Sequence, residues 1–332
     1  MSSIGIVLSE DARDFQRRDW SGLVESDPSG TIFHTPEFLK IYWEEFGAET
    51  DGLLLAFGEQ EGRQVAACAF ELAGSTVRFL GGTEVVDYLG PVAEPEAASG
   101  FAAELWAALL KRDGWDEADL RGLPADSAWL MHLTEAAGGH GLSVEETGDQ
   151  NGVAPFIDLP GAWEEYLRAL PAKLRHEIRR KAKKLETETG PFAIETADEG
   201  TLPAFLDRFV ELHRLSEGPK GVFMVPGMEI FFRRLGEALC SNGMFRLTFV
   251  RVAGELAAGT IGFRYRKTYS LYNSVFDRRW QQLSPGMVLV AEDIRAAIEE
   301  GNERFDLLKG DYPYKYRFGA ERRTIRRLIV RR

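Results

Sequence analysis

Cysteine is nearly absent. Cys68 and Cys240 are the only two, far apart and each inside an apolar run (AACAF, EALCSNG). That spacing argues against a disulfide framework or a cysteine metal site, and favours buried thiols in a reducing cytoplasm. The five histidines show no metal-ligand spacing, so no metal is expected. P-loop and Rossmann glycine fingerprints are missing, and Ser143 and Ser274 lack the context of a nucleophile elbow. No apolar run approaches the roughly 20 residues that span a bilayer. The opening stretch, MSSIGIVLSEDARDF, has neither a basic start nor a long apolar core, so no signal peptide is expected.

What is present is a globular composition, 44% hydrophobic and 28% charged, in a chain of 332 residues that suffices for two domains. Net charge is −12 but uneven. Residues 1–150 hold 9 basic against 28 acidic side chains (−19), and residues 151–332 hold 31 against 24 (+7). Two units with different surfaces are implied, with a cleft where the fields meet that would draw in an anionic ligand.

Residues 11–50 read as helical; in FHTPEFLKIYWEEFG, Thr35 is the N-cap, Pro36 the first helical residue, and Phe38, Ile41, Tyr42 and Phe46 the apolar face. Three antiparallel strands follow, Leu53–Glu59, Gln64–Leu72 and Thr76–Leu80, then helix Ser99–Arg112, strand Ala118–Arg121 and helix Ser127–Ala137. After a break at GDQNGVAP come helices Trp163–Leu170, Ala172–Glu188, Leu202–Leu215 and Met228–Ser241. A second set of strands spans Phe245–Arg251, Leu256–Arg266 and Tyr269–Phe276, before helix Gly286–Glu300 and strand Arg304–Leu308. Meander, helix, strand thus occurs twice, about 190 residues apart, as a diverged tandem duplication would give. The expected domains are 1–150 and 151–332.

Three stretches carry candidate chemistry. In YSLYNSVFDRRWQQLSPGMVLVAEDI a strand feeds a helix through Ser284 as N-cap, Pro285 and Gly286. Met287, Ala291, Ile294 and Ile298 form its apolar face, with Glu292, Asp293, Arg295 and Glu299 pointing elsewhere. Free N–H groups and the helix dipole make such a start an anion site, although an ordinary capped core helix fits the same pattern. PAKLRHEIRRKAKKLE carries seven Lys/Arg between Lys173 and Lys184: a solvated helix face, or a phosphate-contacting patch. FDLLKGDYPYKYRFG ends a strand in a loop dense in Tyr, Lys, Arg and Asp, suited to oxyanion and proton handling or to aromatic packing. His213, in ELHRLS, reads as a packed or surface residue rather than a base.

KLRHEIRRKAKKLE, YSLYNSVFD, LSPGMVLVAEDIRAAIEEG and FDLLKGDYPYKYRFG together resemble the GNAT superfamily, and in particular the tandem GNAT arrangement of CelD-like acetyltransferases and Fem-type aminoacyltransferases. The resemblance implies an α+β fold of two GNAT-like domains, each a mixed, mostly antiparallel sheet flanked by helices. It places an acceptor side in 1–150 and an acyl-donor side in 151–332. It implies an N-acyltransferase using acetyl-CoA or another acyl-CoA, with an amine of a small-molecule, sugar, envelope-precursor or nucleotide-linked acceptor. The donor would lie on Asn273, Ser274, Val275, Leu283, Ser284, Pro285, Gly286, Met287 and Val288. In the phosphate-binding turn Gly286 matches, whereas Leu283 stands where Arg or Gln is usual and Val288 where Gly or Ala is. Lys315 matches the functional lysine of the Fem-type loop; with it go Asp311 as base and Tyr314. Asp87 and Tyr88, before Gly90-Pro91, and Arg317 would bind the acceptor. Two alternatives stay open: aminoacyl-tRNA as donor, with the basic helix contacting tRNA, and a non-catalytic binding protein of a polysaccharide or envelope pathway.

Overall fold

The strands at the centre of both halves are apolar on successive residues rather than on alternate ones. Leu53–Phe57 and Val65–Phe70 are buried throughout, as are Ala257–Phe263. Such strands need cover on both faces, and the flanking helices supply it. A computed structural model describes residues 3–82 and 85–332 of the chain. They divide into two units, Met1–Val153 with Arg323–Arg332, and Ala154–Arg322.

In the first unit β1 (Gly5–Ser9) precedes α1 (Asp14–Arg17), α2 (Ser21–Ser26) and α3 (Pro36–Phe46). Thr35 caps α3 as expected, its side chain accepting from Phe38 N–H. The antiparallel set β2 (Gly52–Gln60), β3 (Arg63–Ala73) and β4 (Thr76–Phe79) follows, with short β5 (Val92–Ala93) against β3. Helix α4 (Ala98–Leu110) then crosses to β6 (Glu117–Pro124), which pairs parallel with β4, and α5 (Ala128–Gly139) follows. The expected order of elements is what forms.

The second unit is entered through β7 (Ser143–Asp158), whose end pairs with a later strand. Helices α6 (Trp163–Ala169) and α7 (Ala172–Thr189), edge strand β8 (Ala193–Thr196), and α8 (Leu202–Arg214), α9 (Pro219–Phe223) and α10 (Pro226–Leu239) precede its own meander. That meander is β9 (Phe245–Val252), β10 (Glu255–Tyr265) and β11 (Thr268–Phe276), antiparallel throughout. Helix α11 (Pro285–Glu299) crosses to β12 (Arg304–Asp306), which lies parallel to β11 and antiparallel to β7. Both units therefore share one plan: three antiparallel strands, a crossover helix, and a fourth strand parallel to the third.

Three sequence expectations change. GDQNGVAP, read as a break, is the middle of β7, because tertiary pairing overrides its weak strand propensity, and the two units divide within it between Val153 and Ala154. Asp149 accepts from Gly122 N–H, and a Cβ on Gly152 would stand 2.9 Å from Ile325 O, so the glycine admits a neighbouring backbone. The last residues form β13 (Glu321–Arg331), antiparallel to β6, so 323–332 pack with the first unit although their numbering groups them with the second. Four arginines of β13 meet acids there: Arg323 with Asp126, Arg326 with Glu146, Arg327 with Asp119, and Arg331 with Glu117 and Glu145. Burial pushes the Asp119 carboxyl up, but Arg327 and Arg121 outweigh it and hold the group below the usual range. Moving five arginines shifts the unit charges from −19 and +7 to −14 and +2, so much of the basic excess is internal pairing.

The third change is Asp293, which does not point to solvent. It is buried on the sheet side of α11, accepting from Thr260 Oγ1 at 2.8 Å, and burial lifts its pKa to about 7. A carboxyl raised in the folded state favours folding while it is protonated. That contribution is complete below pH 4 and is lost as pH rises through about 7. Asp293→Asn keeps the acceptor oxygen but not the titration. Urea unfolding should show the variant gaining on the wild type between pH 5 and pH 8, by on the order of 2 kcal/mol. A difference independent of pH would contradict this assignment.

Candidate active site

Strands β11 and β12 run together for three residues only, Thr268–Ser270 against Arg304–Asp306. Tyr269 stacks on Phe305 across this short ladder, ring centroids 5.1 Å apart, and Gly262 makes room, since a Cβ there would meet the Tyr269 ring at 2.5 Å. Beyond Ser270 the strands part. On the β12 side the cause is a tight turn: Asp306 Oδ1 accepts from Leu308 N–H at 2.7 Å, and Leu308 takes a left-handed conformation, φ +58°. Lys315, 3% exposed, closes that turn by donating Nζ to Leu308 O at 2.7 Å and Lys309 O at 2.8 Å.

On the β11 side the register passes from Gly262 opposite Leu271 to Ile261 opposite Asn273, leaving Tyr272 as an inserted bulge residue. Its ring packs between Phe232 and Phe263. Opposed residues of an antiparallel pair alternately exchange both backbone hydrogen bonds or turn both groups away. Ser274, opposite Thr260, has its N–H bonded to Asn273 Oδ1 at 2.8 Å. It is therefore a turned-away residue, aimed at the edge that β12 vacates. Asn273 and Val275 alternate with it and face β10, so only one of the three expected strand donors points into the splay.

After β11, Asp277 caps a 3-10 turn, Arg278–Leu283, accepting from Arg279 N–H at 3.0 Å. Hydrogen bonding from Arg279, helped by Arg208, pulls its pKa to about 2 despite partial burial. Ser284 is not the side-chain cap expected. It sits in the left-handed region, φ 53°, and its hydroxyl accepts from Lys181 Nζ at 2.8 Å instead of from the helix. Pro285 is the first helical residue as expected. Met287 and Val288 N–H both turn back to Ser284 O, which leaves Gly286 as the first-turn N–H with no intrahelical partner. A Cβ on Gly286 would meet nothing within 4 Å, so the space beside it is open. Leu283 and Val288 are buried in a cluster with Leu185, Val250 and Leu289, so their side chains are core and not ligand contacts.

The basic helix α7 has two faces. Lys181 reaches Ser284, and Lys184 Nζ donates to Gln282 O at 3.1 Å. Burial lowers the Lys181 pKa. Arg179, Arg180 and Lys183 are exposed. The signal for Lys181 lay in the sequence: it falls between Ile178 and Leu185 at helical spacing, on the stripe those residues bury.

The remaining candidates fall into place less simply. Asp311 is exposed and accepts from Tyr316 Oη and, at 2.8 Å, from Arg322. The Tyr316 hydroxyl first, with Arg322 beside it, holds the Asp311 pKa below the usual range, which makes it a poor base. Tyr314 packs against the core beneath β12, and burial pushes its pKa to about 12. Arg317 is exposed, 3.6 Å from Glu177. In the first unit Tyr88 is buried against Phe33 with Arg323 over its ring at 5.5 Å, a packing role; Asp87 beside it is half-buried. His213 is fully buried, its Nε2 3.2 Å from Asn273 Nδ2, a contact no sequence pattern indicates.

A splayed pair of parallel strands with a bulge, followed by an open helix N-terminus, offers one backbone donor to a carbonyl and another to an anion. Residues 172–316 match the acetyltransferase (GNAT) domain family. That stretch of the second unit is therefore similar to a GNAT-type domain, and the enzyme class that goes with the family is acyl transfer. No curated protein matches the chain by sequence. Among solved structures, FemX aligns over 95% of both chains at 11% identity, TM-score 0.69. A conserved protein of unknown function from Bacteroides thetaiotaomicron aligns over 98% of this chain and all of its own, at 12% identity and TM-score 0.65. The C-terminal domain of a putative lysylphosphatidylglycerol synthetase from Agrobacterium fabrum aligns over 97% and 92%, at 13% identity and TM-score 0.60. At such identities the likeness is one of fold. Among the described residues no helix is long and apolar enough to cross a membrane.

The clamp at Lys315 has a measurable consequence. Lys315→Met leaves two carbonyls without their charged donor, and buried unsatisfied groups cost about 1–3 kcal/mol each. Urea unfolding should register a loss of stability of about 2 kcal/mol or more. A variant as stable as the wild type but inactive would instead make Lys315 a catalytic group.

Proposed function

We propose that the chain moves an acyl group from an acyl-CoA, acetyl-CoA being the first to test, to an amine of a small-molecule, sugar or nucleotide-linked acceptor. The observation that carries this is the pairing of one strand donor, Ser274 N–H, aimed into the splay with an open helix start at Gly286 backed by Lys181. The thioester would lie along β11 with its carbonyl oxygen at Ser274 N–H. Its pyrophosphate would sit before α11, where Gly286 N–H and the helix dipole favour negative charge. Lys181 supplies from α7 the cation that Leu283 does not supply from the turn itself.

Attack of the neutral amine on the thioester carbon forms the new C–N bond. The C–S bond then breaks, the thiolate leaves, and the extra amine proton passes to water. Positioning and carbonyl polarisation suffice for such a transfer, so no triad is required. Asp311, Tyr314 and Lys315 shape the loop at the end of β12, and Asp311 in its present pairing is too weak a base to drive the step. The first unit, 1–150 by sequence, is the proposed acceptor side.

A second reading has one observation in its favour. The outward face of α7, with Arg179, Arg180 and Lys183 exposed, suits a polyanion such as the tRNA of an aminoacyl-tRNA donor. The two donors separate by mutation and calorimetry. With acyl-CoA as donor, Lys181→Ala weakens acetyl-CoA binding roughly ten- to a hundredfold, the worth of one charge-assisted contact. Charge reversal at Arg179, Arg180 and Lys183 leaves that binding and turnover within about twofold. Loss of activity on reversal, with no acetyl-CoA heat in the wild type, supports the tRNA donor instead.

A further inference from the structure

Asn273 sits at the bulge where the donor strand loses its neighbour, and both ends of its carboxamide are engaged. Oδ1 accepts from Ser274 N–H at 2.8 Å, and Nδ2 lies 3.2 Å from His213 Nε2. Oδ1 accepts a backbone N–H, so the amide orientation is fixed and Nδ2 is the donor to His213. The imidazole must then offer a lone pair at Nε2, which makes it neutral with its proton on Nδ1. The ring is fully buried, tilted against Phe209 on one side and Phe223 on the other, centroids 6.1 and 5.7 Å away. The imidazole is thus an acceptor held by aromatic packing, and the carboxamide cannot flip end for end without setting Nδ2 against the Ser274 N–H and Oδ1 against the Nε2 lone pair.

The group that Oδ1 covers is the one strand donor of the three aimed into the splay. A carboxamide oxygen is chemically the counterpart of a thioester carbonyl oxygen: both are neutral sp² acceptors. We propose that Asn273, held by His213, is a resting plug on the Ser274 N–H, displaced when the acyl carbonyl of the donor takes its place. The inference rests on the acyl-CoA reading above. It makes Asn273 and His213 positioning residues that set donor affinity at the carbonyl alone, and it separates ligands that carry an acyl carbonyl from those that do not.

Free CoA has the same nucleotide and pantetheine as acetyl-CoA but no acyl carbonyl, so it does not compete with the plug. Isothermal titration of the full chain with both ligands is the test. Asn273→Ala should bind acetyl-CoA roughly three- to tenfold more tightly than the wild type, the worth of one neutral hydrogen bond released from competition. Its affinity for CoA should not change. Asn273→Ser also lacks the carboxamide and should give the same shift, which keeps the test available if the alanine variant does not fold. His213→Leu removes the acceptor and should act in the same direction, while His213→Gln restores an acceptor oxygen and should stay near the wild type. Weaker acetyl-CoA binding by Asn273→Ala would overturn the plug and make Asn273 a ligand of the carbonyl. Equal changes for the two ligands, or none, would overturn it as well. A wild type that binds neither ligand overturns the donor reading itself, whereas one that binds both, with the variants unshifted, overturns only this proposal.

Discussion

The second unit depends on a buried lysine holding two backbone carbonyls. Lys315 reaches Leu308 O and Lys309 O from a short helical turn seven residues on, and so fixes the chain where it leaves β12. Leu308 accepts an unfavourable left-handed conformation there, stabilised by Asp306 on one side and the ammonium on the other. Without that turn β12 would continue beside β11, and the edge that exposes Ser274 would be closed by ordinary parallel pairing. The cleft is thus made by ending a strand early, with a polar cluster as the stop. A lysine with these duties is worth more to the geometry of the site than as a free charge within it.

A similar economy governs the charged residues. In the sequence the excess of basic over acidic side chains after residue 150 reads as a surface waiting for an anion. In the fold, five arginines of that excess lie on 323–332; four turn to acids of the first unit, with Asp119 buried between Arg121 and Arg327, and Arg332 donates to the carbonyls of Leu109, Leu110 and Arg112. Exposed pairs of this kind contribute little individually, but a buried carboxylate with two guanidinium partners penalises any strand register that breaks it. Charge counted along the chain overstated the field, because the last strand belongs spatially to the earlier residues.

Most of the architecture was legible from periodicity and caps. Thr35-Pro36 started α3 as read, and both meanders with their crossover helices formed in the expected order. What stayed hidden were elements whose strand character comes from partners: β7, with Gly148 and Gly152 inside it, and β13, dense in arginine. Of the candidate site, the strand and the helix start were legible, and the side-chain contacts were not. Tyr272 as a bulge, His213 behind Asn273 and the burial of Asp293 each depend on contacts between residues far apart in sequence, which no local pattern encodes.

The turn before α11 departs from the usual motif at two positions, and packing gives a physical reason for both. Leu283 and Val288 point into the core with Leu185 and Leu289, so their side chains stabilise the packing of α11 against α7 and the sheet. An arginine at 283 would have to leave that cluster to reach a phosphate, and would forfeit burial worth roughly 2 kcal/mol. The chain keeps the apolar residue and brings the cation from outside the turn. Lys181 lies on the same α7 stripe that seats Leu185, so the packing that makes Leu283 useful also delivers an ammonium to Ser284. The two observations are therefore one arrangement. A helix start that exchanges its own basic residue for a packed leucine requires a basic neighbour held by that packing, and α7 provides it.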